Sequence, residues 1–279
     1  RYLWSSIFYI FVAQEQKRNF LMASINIKNV SFSYKDAVIL DNISLEINNG
    51  ELVSVVGKNG TGKTTLMKLI AGLVKPTSGQ ILLDNEDIQN ITHRNRAQSV
   101  SFAPQNPILP PRVSVFDFVM LGRNSYLSLL EWESITDVNI VDEALAATGM
   151  KTFRNRFITE LSSGEIQRVM ISMSMVQQSK ISLLDEPTSN LDIANQSSVM
   201  KLILENHRPK QSTTLITMHD LSLAAQYSKR IILLHDKNIY CDGSPSEVLT
   251  KANIKSTYGI EAEILKHPNT GSPIIVPSH

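Results

Sequence analysis

The sequence predicts an α/β fold: a mostly parallel sheet with helices on both faces, interrupted by a helical insertion. Three observations lead there. From Gly164 to Leu234, apolar strands alternate with helical patterns, as in a parallel sheet with crossover helices. Earlier, Glu51 to Val56 (ELVSVV) is a short apolar strand that runs into a glycine-rich turn and then a helix. Between about residues 106 and 163 the texture changes, opening with Pro107, Pro110 and Pro111 and continuing as helical patterns.

In chain order, Ile25 to Tyr34 and Ile39 to Ile47 alternate apolar and polar residues, as half-buried strands do. After the strand at 51–56, a helix is expected from about Lys63 to Ala71, with Gly72 placed to stop it. Pro76, Ser78 and Gly79 mark a turn before a strand at Gln80 to Asp84, and Ser99 to Ala103 reads as another strand, closed by Pro104. Helices are expected in the insertion at Val113 to Leu121 and Thr136 to Thr148. Then follow a helix (Gly164 to Gln177), a strand (Ile181 to Asp185), a helix (Ile193 to Glu205), a strand (Thr213 to Met218), a helix (Leu221 to Tyr227) and a strand (Arg230 to Leu234). From about Lys237 to residue 279 a tail of short strands and helices carries no clear chemistry.

The chain has 279 residues, enough for one large domain or a domain with a subdomain. Charged residues make up 19% and hydrophobic residues 42%, the balance of an ordinary globular protein. With Lys+Arg 27 against Asp+Glu 26 the net charge is +1, so no global basic field argues for nucleic acid, and any phosphate site must be local. The single cysteine, Cys241, cannot form an intrachain disulfide, which fits a reducing compartment. Tyr2 to Ala13 (YLWSSIFYIFVA) are apolar and aromatic, but a bilayer span needs about 20 such residues. No small-residue cleavage site follows to make it a signal segment. Met22 opens the first strand pattern, so residues 1–21 read as an upstream extension or a misassigned start.

Gly57-Lys58-Asn59-Gly60-Thr61-Gly62-Lys63-Thr64 fits G-x-x-x-x-G-K-[ST], the phosphate loop that binds nucleotides, with Thr65 next in the helix. Glycines let the backbone wrap closely, so that N–H groups point at phosphate oxygens, and the following helix presents its positive end to the same anion. Lys63 would reach the β- and γ-phosphates, and the Thr64 hydroxyl would ligate Mg²⁺. Ile181 to Leu184 deliver Asp185 and Glu186 at the end of a buried strand. There, Asp185 would hold Mg²⁺ and Glu186 would act as general base or orient the attacking water.

Leu161-Ser162-Ser163-Gly164-Glu165, followed by Ile166-Gln167-Arg168, resembles the ABC signature LSGGQ-x-Q-R, upstream of the acidic strand as in ABC transporter ATPases. Ser163 and Glu165 stand where that pattern has glycine and glutamine, departures that bear on affinity at the dimer interface. The resemblance covers residues 25 to 276. It implies a nucleotide-binding core with N-terminal antiparallel strands and a homodimer, in which ATP is clamped between one copy's phosphate loop and the other's Ser162, Ser163, Gly164 and Glu165. It further implies that Gln105 senses Mg²⁺ and the γ-phosphate, that Asp192 crosses the dimer interface, that His219 contacts the γ-phosphate and that Tyr34 stacks on adenine. Domain limits follow as 22–279, with the insertion at about 106–163 and the tail at about 237–279.

Val113 to Tyr126 carries V-x-D-x-V-x-L-G-R-x-x-Y, which resembles the ATPases of iron-siderophore, haem and cobalamin importers; His219 to Tyr227 and the tail around Tyr258 are similar to the same branch. That implies a peripheral ATPase on the cytoplasmic face of the plasma membrane, working with an integral membrane permease and, indirectly, a substrate-binding protein, with no nucleic-acid partner. The alternatives are the ATPase of another transporter, for zinc or manganese or for export, and a soluble ABC ATPase outside transport.

Overall fold

A computed structural model describes residues 24–127, 132–210 and 212–278, with side chains at 208–210 left out; the reading of residues 1–21 lies outside the described residues. An antiparallel sheet comes first: β1 (Ile25–Tyr34), β2 (Ala37–Ile47), β4 (Ser78–Leu83) and β5 (Glu86–Asp87), in the order β2-β1-β4-β5. The second sheet has the order β10-β9-β3-β8-β7-β6, from β3 (Leu52–Val56), β6 (Val100–Ala103), β7 (Ile181–Asp185), β8 (Thr213–Met218), β9 (Arg230–His235) and β10 (Asn238–Gly243). Its strands run parallel except β10, which is antiparallel to β9.

The apolar runs of β7, β8 and β9 are buried on both faces, as parallel strands covered twice must be. Alternation divides them. Val53, Val55, Leu183, Leu215 and Ile232 pack with α1 (Lys63–Ile70) and the inner face of the antiparallel sheet, while Val56, Leu184, Ile216 and Leu233 face the remaining helices. Those are α3 (Val115–Met120), α4 (Ile135–Ala147) and α5 (Ser163–Val176), followed by α6 (Ile193–Lys210), α7 (Leu221–Tyr227) and the tail helices α8 (Pro245–Val248) and α9 (Lys251–Tyr258). α1 therefore lies between the two sheets, with Leu66, Met67, Leu69 and Ile70 fully enclosed. The tail ends in a hairpin of β11 (Ala262–Lys266) and β12 (Pro273–Pro277).

Several boundaries differ from the sequence reading. Ser99 ends a helix, α2 (His93–Ser99), rather than opening a strand; that helix buries no residue, so it leaves no apolar stripe in the sequence. β4 runs from Ser78 to Leu83, because Asp84 and Asn85 turn at positive φ. α3 starts at Val115, where the Ser114 hydroxyl accepts from the Asp117 amide as an N-cap. α6 continues to Lys210, past the expected end at Glu205.

Candidate functional site

The glycine-rich loop leaves β3 at Gly57, whose φ of 153° lies where side chains are strained and where a Cβ would stand 2.5 Å from the Leu234 carbonyl oxygen and 2.8 Å from the Thr61 hydroxyl. Gly62, at φ 97°, is the N-cap of α1 and has no room for a Cβ beside Leu40. No side chain caps α1 and no acidic residue lies in its first turn, so its leading N–H groups are free to meet an anion. Within the loop, Thr61 Oγ1 donates to the Lys58 carbonyl at 2.9 Å. The buried Lys63 Nζ donates to the carbonyls of Gly57 at 2.8 Å and Lys58 at 3.1 Å. Burial lowers the pKa of Lys63, opposed by the charges of Glu186 and Asp185, so the ammonium sits in a place that an anionic ligand would make more comfortable.

Three neighbouring strands bring the acid and polar groups together. β7 ends in Asp185, and Glu186 follows at φ 50°; both are buried. Thr217 in β8 holds them. Its hydroxyl donates to Asp185 Oδ1 at 2.6 Å and accepts from the Glu186 amide at 2.8 Å. Gln105, just past β6, donates through Nε2 to Glu186 Oε2. His219, just past β8, places Nε2 2.5 Å from Glu186 Oε1. A cavity of about 360 Å³ opens over this group and the phosphate loop, lined by Ile39, Asn59, Gly60, Gly62 to Thr65, Gln105, Glu186 and His219.

The remaining expected residues lie elsewhere in the chain's own surface. Tyr34 is exposed and meets Phe32 edge-to-face, with ring centroids 4.7 Å apart. Ser162 caps α5 in a reciprocal box: its hydroxyl accepts from the Glu165 amide, while its own N–H and Oγ–H both donate to Glu165 Oε2 at 2.7 Å. Ser163 and Gly164 open that helix, and a Cβ at Gly164 would lie 3.6 Å from Leu191 Cδ2, beside the turn that carries Asp192. Asp192 caps the start of α6 by accepting from the Asn195 amide at 2.8 Å. Sequence reasoning missed Thr217 and Ile39. Thr217 is a hydroxyl inside an apolar strand, a signal that only the register against Asp185 makes meaningful.

The donor set suits Mg²⁺. Thr64, Asp185 and Gln105 offer hard oxygens, and no group of three His, Cys, Asp or Glu among the described residues could hold a metal by itself. A cation held by one carboxylate, a hydroxyl and its ligand's phosphates is the arrangement Mg²⁺ favours.

A family profile described as ABC transporter matches residues 40–189. The chain is 38% identical over 257 residues to the petrobactin import ATP-binding protein FpuD of Bacillus anthracis, covering 92% of this chain and 94% of that one. It is 32% identical over 250 residues to the ferric enterobactin transport ATP-binding protein FepC of Escherichia coli, covering 90% and 92%. Among solved structures it resembles the dimeric structure of MJ0796, a bacterial ABC transporter cassette, with TM-score 0.73, 28% identity and coverage of 79% and 98%. The dimeric post-hydrolysis state of that cassette, bound to ADP and Pi, matches with TM-score 0.71 and 27% identity.

Proposed function

The chain belongs to the ABC transporter family and is an ATP-binding, ATP-hydrolysing subunit; from that premise we propose that it energises import of a metal chelate through a separate permease. The observation that carries the ATPase reading is the convergence of Gln105 and His219 on Glu186, beside the uncapped helix end and Lys63. The importer reading is supported by relatives named for petrobactin and ferric enterobactin, and iron-siderophore is the cargo class put forward, with haem or cobalamin next. A zinc, manganese or export transporter, or a soluble ABC ATPase, is the alternative. Among the described residues no helix is long and apolar enough to cross a membrane; in this reading a separate permease provides the passage. The proposed place is peripheral, on the cytoplasmic face, as a homodimer.

In this reading the loop from Gly57 to Thr65 wraps the phosphates with backbone N–H groups, and Lys63 turns from the Gly57 and Lys58 carbonyls to the terminal phosphate. Thr64, Asp185 and Gln105 would hold Mg²⁺, which supplies charge neutralisation across the phosphates. Glu186 takes the proton of the attacking water, and His219 and Gln105 fix its two carboxylate oxygens. Ser162, Ser163, Gly164 and Glu165 of the second copy close the site, with Asp192 alongside and Tyr34 against the base. Thr217 keeps Asp185 and Glu186 in relative position.

The test is Glu186→Gln. ATP binding should persist and a closed dimer should accumulate, while turnover falls about 10²- to 10⁴-fold, the usual worth of a positioned general base. Near-wild-type ATPase in this variant would remove Glu186 from the role. Iron-chelate uptake in cells with the gene deleted, against zinc uptake in the same cells, separates the cargo classes.

A further inference from the structure

One carboxylate of the proposed metal site has an oxygen engaged inside the protein. β7 and β8 lie in register, so that Asp185 and Thr217 stand opposite each other. Leu183 and Leu215, two residues back on each strand, pack in the cluster with α1. Alternation turns Asp185 and Thr217 to that same side, where Thr64 stands in the first turn of the helix. Thr217 is fully buried and Asp185 is 2% exposed. The atoms themselves fix who donates and who accepts. The Glu186 amide can only donate, so the Thr217 oxygen accepts from it, at 2.8 Å. The single proton of the Thr217 hydroxyl then goes to Asp185 Oδ1, at 2.6 Å. The other carboxylate oxygen, Oδ2, accepts from none of the described residues. On a buried acid, an oxygen left without a donor calls for a cation.

We propose that Thr217 is a positioning residue for the divalent cation: by occupying Asp185 Oδ1 it leaves the carboxylate a single oxygen to offer, and so favours Mg²⁺ over Ca²⁺. Mg²⁺ takes few protein ligands in a rigid arrangement, whereas Ca²⁺ gathers about six to eight oxygens and can take both from one carboxylate. Asp185 is the sole carboxylate among the three proposed ligands, since Thr64 brings a hydroxyl and Gln105 an amide oxygen. With Oδ1 occupied, the set lacks the extra oxygen that the larger ion needs. The same hydroxyl ties this choice to the hydrolytic group. Glu186 stands at φ 50°, a region that strains a residue with a side chain, and the Thr217 oxygen holds its amide there. An ion that drew on both Asp185 oxygens would pull the hydroxyl off its bond and loosen Glu186.

This inference rests on the reading of Thr64, Gln105 and Asp185 as metal ligands of the ATP site. Its test compares the wild type with Thr217→Ser, Thr217→Cys and Thr217→Val in the full chain. Binding of a fluorescent ATP analogue is titrated without metal, with Mg²⁺ and with Ca²⁺, and Tm is followed alongside. Val keeps the shape and removes the hydroxyl. It should leave metal-free binding as in the wild type and lower the preference for Mg²⁺ over Ca²⁺ about tenfold, in line with what a group that holds a metal ligand is worth. Ser keeps the hydroxyl and should keep the wild-type preference. Cys, a weak donor and acceptor, should fall between the two, and it carries the comparison if Val does not fold. A wild-type preference in Val, or in Cys where Val does not fold, means that Thr217 selects nothing, and the proposal fails. It also fails if metal-free, Mg²⁺ and Ca²⁺ binding weaken together, the mark of a merely structural role. A wild-type chain that binds the analogue under none of the three conditions would instead remove the functional reading itself.

Discussion

In the proposed dimer, the Glu165 carboxylate would help set the strength of a shared site. It accepts from the Ser162 hydroxyl and amide, and these bonds hold it below the usual carboxylate range, with Arg156 adding a little and burial opposing. It is therefore ionised at neutral pH and places a negative charge at the helix end that would face a partner's phosphate. Glu165→Gln keeps the shape and removes the charge. The expected outcome is a KM for ATP lowered about twofold to fivefold at low salt, with the gain shrinking at high salt as screening grows. An equal KM for the two forms at low salt would mean that the carboxylate swings clear of the phosphate on closure. At this scale the sequence was informative where a residue follows a strand, as Gln105, Glu186 and His219 do. It was silent on Thr217, because a threonine within an apolar strand is ordinary until its partner across the sheet is known.

Among elements, the insertion is fixed to the core by Arg123. Its guanidinium donates to Asp137 Oδ1 of α4 at 2.9 Å and to the carbonyl of Val176, the last residue of α5, also at 2.9 Å. It also lies 4.0 Å over the Tyr126 ring. Burial pushes the Asp137 carboxyl up, yet the bonds from Ser134 and Arg123 outweigh it and leave the pKa lowered. The stabilisation is thus present above the unfolded carboxylate value and is lost as the pH falls through the lower folded one. Asp137→Asn should flatten stability against pH in that acid range, as followed by urea unfolding. Arg123→Met strands Asp137 without its cation and should cost about 3–5 kcal/mol of unfolding free energy. Most elements could be read from periodicity, since β7 and β8 are continuous apolar runs and Gly72 ends α1 at φ 64°. α2 could not, because a helix with nothing buried has no period to read.

For the whole molecule, the cavity contains residues from the phosphate loop, Gln105, Glu186 and His219, but none from the start of α5. A single copy thus holds only part of the proposed reaction centre. ATPase per mole of protein should rise with protein concentration in the dilute range and show sigmoidal dependence on ATP. Activity strictly proportional to concentration, unaffected by changes at Ser162 or Gly164, would end the clamp reading. Gln105, Glu186 and His219 each stand just beyond β6, β7 and β8, which are adjacent and parallel. Their sideways separation is set by the backbone ladder, about 4.8 Å per strand, and not by any loop. Of the residues between β6 and β7, only Gln105 and Ser162 to Glu165 belong to the proposed site, so the stretch between them can change in length or sequence while that ruler stays the same. In the proposed assembly, a face that this stretch would offer to a permease could thereby diverge with no retuning of the three proposed catalytic residues.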